Sequence, residues 1–156
     1  MPRLNLTKRG RGDFAIEDQI VRITSRLVTP FIQVYGIYVI VNGHLSPGGG
    51  FSGGAIFGAS LVLVALSFNL EVGVKQISHQ TSSILESGGA LGFVLTGLAA
   101  IFLGGSYLAN RSAGFPMGQA GELFSAGAIL IITVFVGIKV ASTIVTLFYN
   151  IIEGEK

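Results

Sequence analysis

Three long stretches of this chain are nearly empty of charge, and their positions lay out its architecture. From Leu27 to Leu70, and again from Ser87 to Asn110, there is no Asp, Glu, Lys or Arg; from Leu123 to Ile152 Lys139 alone interrupts the run. A hydrocarbon core of ~30 Å takes about 20 apolar residues per helical crossing, so these stretches hold two, one and one spans. The expected spans are 28–43, 51–70, 90–109 and 123–149. Together they form a transmembrane domain over 27–150, an all-α bundle of four membrane helices.

Ahead of the first span the pattern changes. Residues 1–12 are polar and basic, and in DFAIEDQIVRITSRLV the residues Ile16, Ile20, Ile23 and Leu27 recur at helical spacing. Asp13, Glu17, Asp18, Arg22 and Arg26 carry the polar part. This periodicity predicts an amphipathic helix lying at the membrane interface, inside an N-terminal segment of residues 1–26. The segment is too long and too mixed in sign for a secretory leader, and no small-residue cleavage pattern follows it. Pro30 falls in the first turn of the expected span, where its missing N–H costs least. Residues 71–89 read as an interfacial loop with room for a short helix, and residues 151–156 as a tail.

Composition agrees with this reading. Half of the residues are hydrophobic and 12% are charged, against about 25% charged in soluble domains. The net charge is +2, but the basic residues gather at Arg3, Lys8, Arg9, Arg11, Arg22 and Arg26, beside a span, so no nucleic-acid partner is expected. With four crossings, Lys75 and Lys156 fall on that same side and Arg111 alone on the other. Excess Lys and Arg mark the cytoplasmic side; both termini are expected there, in a multi-pass protein of the cell membrane. There is no cysteine, which removes disulfides, thiolate metal sites and thiol catalysis.

The stretch GHLSPGGGFSGGA, residues 43–55, joins the first two spans. Gly48, Gly50 and Gly53 match G-x-G-x-x-G, but a dinucleotide turn needs a preceding strand and an acidic residue about 20 positions on. Here an apolar helix precedes it, and Glu71 lies at the far end of the next one. Small residues at every fourth position offer a better account: Gly50, Gly54 and Gly58 on the second span, with Gly49 and Gly53 beside them. Thr96, Ala100 and Gly104 repeat the spacing on the third span, and Thr133, Gly137 and Ala141 on the fourth. Such stripes let helix backbones approach closely in lipid. Pro47 sets a turn. His44 reads either as a polar interfacial residue or as a proton-handling group, since imidazole titrates near neutrality.

Lys139 is the sharpest chemical signal. A lysine near mid-bilayer costs about 2.5–3.5 kcal/mol on insertion scales and is a functional-site hypothesis by default. Snorkelling toward the interface is opposed by the distance to Asn150, ~15 Å along a helix. Ser142, Thr143, Thr146, Asn150 and Glu153 continue its face toward the tail, whereas Phe135, Ile132 and Ala128 lie the other way. One polar stripe therefore runs from the cytoplasmic side to Lys139 and stops, as an ion or proton path through Lys139, Thr143 and Thr146 requires. The expected spans contain no Asp or Glu, so a carboxylate partner is expected from another subunit.

The glycine stretch resembles the G-H-x-x-P-G-G-G-F-x-G-G signature of the B subunit of Mrp (Mnh)-type multisubunit Na+/H+ antiporters, and the resemblance extends over residues 28–149. It implies four spans and assembly with other membrane subunits, in free-standing antiporters or in redox-driven complexes such as membrane-bound hydrogenases. It implies Na+ and H+ as the ions moved by the complex, no cofactor in this chain, and no enzymatic activity of the chain alone. It also maps the family's important proline and phenylalanine onto Pro47 and Phe51, and its last-span lysine onto Lys139. Two other readings stand beside it: a purely structural linker whose Lys139 makes only an intersubunit salt bridge, and an autonomous transporter, for which no inverted repeat is visible.

Overall fold

The computed structural model describes the backbone of residues 7–45, 47–68, 79–119, 121–122 and 125–154, and the side chains of 19–45, 47–68, 80–119, 121–122 and 125–152. Among the described residues four helices make the fold: α1 (Thr7–Val41), α2 (Gly50–Phe68), α3 (His79–Phe102) and α4 (Ala128–Gly154). A single 3₁₀ turn, Arg111–Ala113, interrupts the long α3–α4 connection, and no strand occurs among the described residues. Each helix contains a stretch long and apolar enough to cross a bilayer: Gln19–Val41, Gly50–Phe68, Gln80–Phe102 and Ala128–Ile152. The chain is a multi-pass membrane protein.

The boundaries differ from expectation in ways that matter. The amphipathic N-terminal segment is continuous with the first span, because α1 runs unbroken from Thr7 through Pro30 to Val41. Pro30 therefore sits in a helix interior, where it removes one backbone hydrogen bond. Side-chain bonds brace the turn before it. The Thr29 hydroxyl donates to the Ser25 carbonyl at 2.6 Å, and the Ser67 hydroxyl of α2 donates to Ser25 Oγ at 2.6 Å.

Helix α3 begins at His79 rather than Ala90, so residues expected in the interfacial loop form its first turns. The rest of that loop, 71–78 with Lys75, lies outside the described residues, as do Arg3 and Lys156. The helix stops at Phe102, and Gly104 turns the chain with φ +88°. Gly104 accordingly belongs to no packing stripe, and nothing lies within 4 Å of where its Cβ would be. Helix α4 starts at Ala128 rather than Leu123 and extends into the expected tail. Asn110 defines that start: its Oδ1 accepts from the Ala128 N–H at 3.0 Å while its Nδ2 donates to the Ala126 carbonyl at 2.8 Å.

Within the fold α4 is central, flanked by α2 and α3, and α1 packs mainly on α2. Two of the expected small-residue stripes meet each other. A Cβ on Gly54 would stand 2.5 Å from the Gly137 carbonyl oxygen, and one on Gly58 would stand 3.0 Å from that of Ala141. Gly50 makes the same approach to the Thr133 carbonyl. Gly53 faces the other way, onto α1, where a Cβ would meet the Gly36 carbonyl at 2.7 Å. Gly49 lies before α2 rather than on it. Its φ of +142° is a conformation side chains rarely adopt, and its carbonyl accepts the Gly53 N–H at 3.0 Å.

Because the Gly137 backbone and Val140 Cβ stand opposite Gly54, a larger side chain there must push α4 away. Gly54→Val should destabilise the folded chain by about 1–3 kcal/mol, the usual cost of overpacking. Thermal melting in detergent followed by size-exclusion checks this; an unchanged melting temperature would contradict the α2–α4 contact.

Candidate functional site

The polar face of α4 meets a polar face of α3, and the two helices run antiparallel. Nearest the start of α3, Ser82 faces Ser142 and Thr146. The Ser82 and Thr146 hydroxyls are 2.7 Å apart, and the Ser82 and Ser142 hydroxyls 3.1 Å. The Ser142 hydroxyl donates to the Ser82 carbonyl. Both serines are buried, so their hydroxyls need these partners. The polar stripe leading to Lys139 is, at Ser142 and Thr146, a helix–helix contact.

One turn further along α3 stands Glu86, and opposite it Lys139 and Thr143. Lys139 Nζ lies 3.7 Å from Glu86 Oε1. The Thr143 hydroxyl is 2.9 Å from the same carboxylate oxygen and 2.9 Å from the Lys139 carbonyl. A threonine hydroxyl has one proton to donate, so Thr143 serves either the carboxylate or the helix carbonyl at any instant. The intramembrane carboxylate expected from another subunit is thus present in this chain. In the sequence Glu86 bounds a charge-free stretch, so missing charge alone places the third span after it. The Gln80–Phe102 span puts it inside, ~9 Å along the helix from Gln80 at 1.5 Å per residue. Lys139 is near the middle of the Ala128–Ile152 span.

Glycine brings the charges together. A Cβ on Gly89, one turn beyond Glu86, would stand 2.8 Å from the Phe135 carbonyl oxygen and 2.9 Å from Lys139 Cβ. The Phe135 ring lies over Gly92 and closes the seam on that side. The sequence order along the interface is therefore hydroxyls, then charges, then an aromatic ring. Sequence periodicity locates the α4 half of this series, but the α3 half of Ser82, Glu86 and Gly89 is visible only once the helices are paired.

The remaining expected site residues lie elsewhere. His44 is in the turn after α1, with Nε2 3.3 Å from the Glu122 carbonyl and a buried Nδ1 that meets no hydrogen-bond partner among the described residues. It borders a mixed polar cavity with Arg111, Phe115 and Met117, at the end of the bundle where α4 begins, and makes no contact with Lys139. Pro47 and Gly48 are exposed, Pro47 at a bend, and Phe51 is exposed at the start of α2. No group of three or more potential metal ligands occurs among the described residues.

Comparison with known proteins gives a consistent result. Residues 20–146 match the family described as a domain related to the MnhB subunit of Na+/H+ antiporter. An uncharacterised Methanocaldococcus jannaschii protein, MJ1307, is 33% identical over 144 residues, which cover 90% of this chain and 53% of that protein. Antiporter subunit mnhB2 of Staphylococcus haemolyticus is 28% identical over 141 residues, covering 88% of this chain and 96% of the relative. Among solved structures, a chain of the membrane-bound sulfane sulfur reductase, an archaeal respiratory membrane complex, superposes with a TM-score of 0.71 and 34% identity, over 85% of this chain and 56% of that one. The chain thus spans about half the length of its archaeal relatives.

Proposed function

The chain belongs to the MnhB-related family of Na+/H+ antiporter subunits, and on that premise we propose that it is a non-catalytic membrane subunit of an ion-translocating module whose ion path includes Lys139 and Glu86. The relatives named above are an antiporter subunit and a chain of a respiratory complex. The same subunit fits a free-standing antiporter or the ion-moving part of a redox-driven complex, with other membrane subunits as partners.

The observation that carries the reading is the Glu86–Lys139 pair within two apolar spans. Burying charge in a membrane is costly, and ion pathways are a recurrent reason for keeping it. The two opposite charges attract across 3.7 Å, yet at that distance they are not locked in a hydrogen bond. A cation or proton arriving at Glu86 would weaken the hold on Lys139, and its departure would restore it. Thr143, which can turn its proton from the carboxylate to the helix carbonyl, accommodates both states.

A structural role has an observation of its own. Ser82, Ser142 and Thr146 spend their hydroxyls on each other, so the seam also fastens α3 to α4. On this second reading the ion pair is one more fastener.

Transport by the assembled complex in proteoliposomes separates the two. On the ion-path reading Lys139→Ala assembles but reduces Na+-dependent proton flux to background, while Lys139→Arg retains part of it. Full flux through an assembled Lys139→Ala complex would leave only the structural role. The Lys and Arg distribution supports an orientation with the start of α3 and the end of α4 on the cytoplasmic side. A Met117→Cys variant, in a chain otherwise free of cysteine, should then react with an impermeant maleimide from outside the cell. Labelling only after permeabilisation would reverse the orientation.

A further inference from the structure

We propose that this chain holds one anionic membrane lipid, with a hydrocarbon chain in the apolar groove between α1 and α3 and the phosphate at Arg22 and Arg26. The groove includes neither Glu86 nor Lys139, and the lipid site does not depend on the ion-path reading.

The groove exists because α2 and α3 flank α4 without packing closely on each other. Over α4 this leaves a cavity of ≈ 360 Å³. Its floor follows α4 from Val134 past Gly137 and Ala141 to Val145, ~16 Å at the helical rise. Ile37 of α1 and Leu85 of α3 stand on its rims, 50% and 43% exposed, so it opens sideways within the spans.

Its lining selects hydrocarbon. Only Ser82 and Ser142 are polar, and their hydroxyls already bond to each other and to backbone carbonyls. Cavities without free polar partners stay dry. A further transmembrane helix, about 10 Å across, would need on the order of 1,000 Å³ over the same length. A single lipid chain is narrow enough to enter.

The headgroup follows from α1. Arg22, Arg26, Gln33, Ile37 and Ile40 recur at spacings of four, seven, four and three on this one helix, so they share a face. Ile37 and Ile40 line the groove. Gln33 lies ~6 Å from Ile37 along the axis, toward the start of α1, and Arg26 ~16 Å. The face thus passes from apolar to amide to basic, in the order in which a phospholipid passes from chain to glycerol linkage to phosphate. Both arginines are exposed, and neither has an ion pair or hydrogen bond among the described residues. Guanidinium matches phosphate in a bidentate fork, and basic residues beside a span attract anionic lipid.

Photolabelling of the assembled complex tests this. Phosphatidylglycerol carrying a diazirine at the end of one chain is diluted into phosphatidylcholine vesicles that hold the complex, and the labelled residues are mapped by mass spectrometry after irradiation. Label is expected on Phe57, Leu61 or Leu85 in the groove. The same chain carried on phosphatidylcholine should label these residues several-fold less. Arg22→Ala combined with Arg26→Ala should bring the phosphatidylglycerol label down to the phosphatidylcholine level, with labelling elsewhere on the chain unchanged. An unlabelled groove beside labelled lipid-facing residues would overturn the proposal, since protein then fills or closes it. Equal groove labelling by the two lipids would overturn it as well, because the arginines then select no headgroup. The comparison of lipids uses the unaltered complex, so it decides even where the double variant fails to assemble.

Discussion

In lipid, burying an apolar side chain against another helix gains nothing that the acyl chains do not already provide. Helices associate through close contact and polar bonds instead, and every other feature of this fold answers to that constraint. Helix α4 uses both means, one on each side. Its Thr133, Gly137 and Ala141 backbone lies against Gly50, Gly54 and Gly58 of α2. Its Ser142, Thr143 and Thr146 hydroxyls bond to Ser82 and Glu86 of α3.

The charged pair depends on this arrangement. Glycines at 89 and 92 let α3 approach α4 near Lys139 and Phe135, and the Ser82 bonds fix the register that sets Glu86 opposite Lys139. A lysine placed in a span without these supports would face the bilayer alone. Here it has a counter-charge, a neighbouring hydroxyl and an aromatic ring that closes one side. At the far end, Asn110 clips the start of α4, so the position of Lys139 is held from both directions along the helix.

Much of this is legible in the chain before folding. Four spans, the stripes at Gly50–Gly58 and Thr133–Ala141, and the anomaly of Lys139 all follow from spacing and missing charge. The stripes even pair as packing requires, although spacing alone does not say which stripe meets which. What escapes is whatever depends on the partner helix. Glu86 is indistinguishable from a loop residue when charge is used to mark a span's end, and Ser82 is one serine among several until Ser142 faces it. Gly49 fits the four-residue spacing of a stripe yet lies outside the helix, because its φ of +142° belongs to the turn. Pro30 argues for a helix start, but the chain continues through it because a helix interior can spare one hydrogen bond.

The central claim is that Glu86 and Lys139 act as one unit, and a double-mutant cycle on ion transport by the assembled complex tests it most directly. Lys139→Ala and Glu86→Ala should each depress Na+-dependent proton flux, and the double variant should lose no more than the worse single variant. Exchanging the charges, Lys139→Glu with Glu86→Lys, should recover part of the flux lost in either reversal alone. Full flux in Glu86→Ala beside a silent Lys139→Ala, or no recovery of flux in the charge-exchanged variant, would contradict the account.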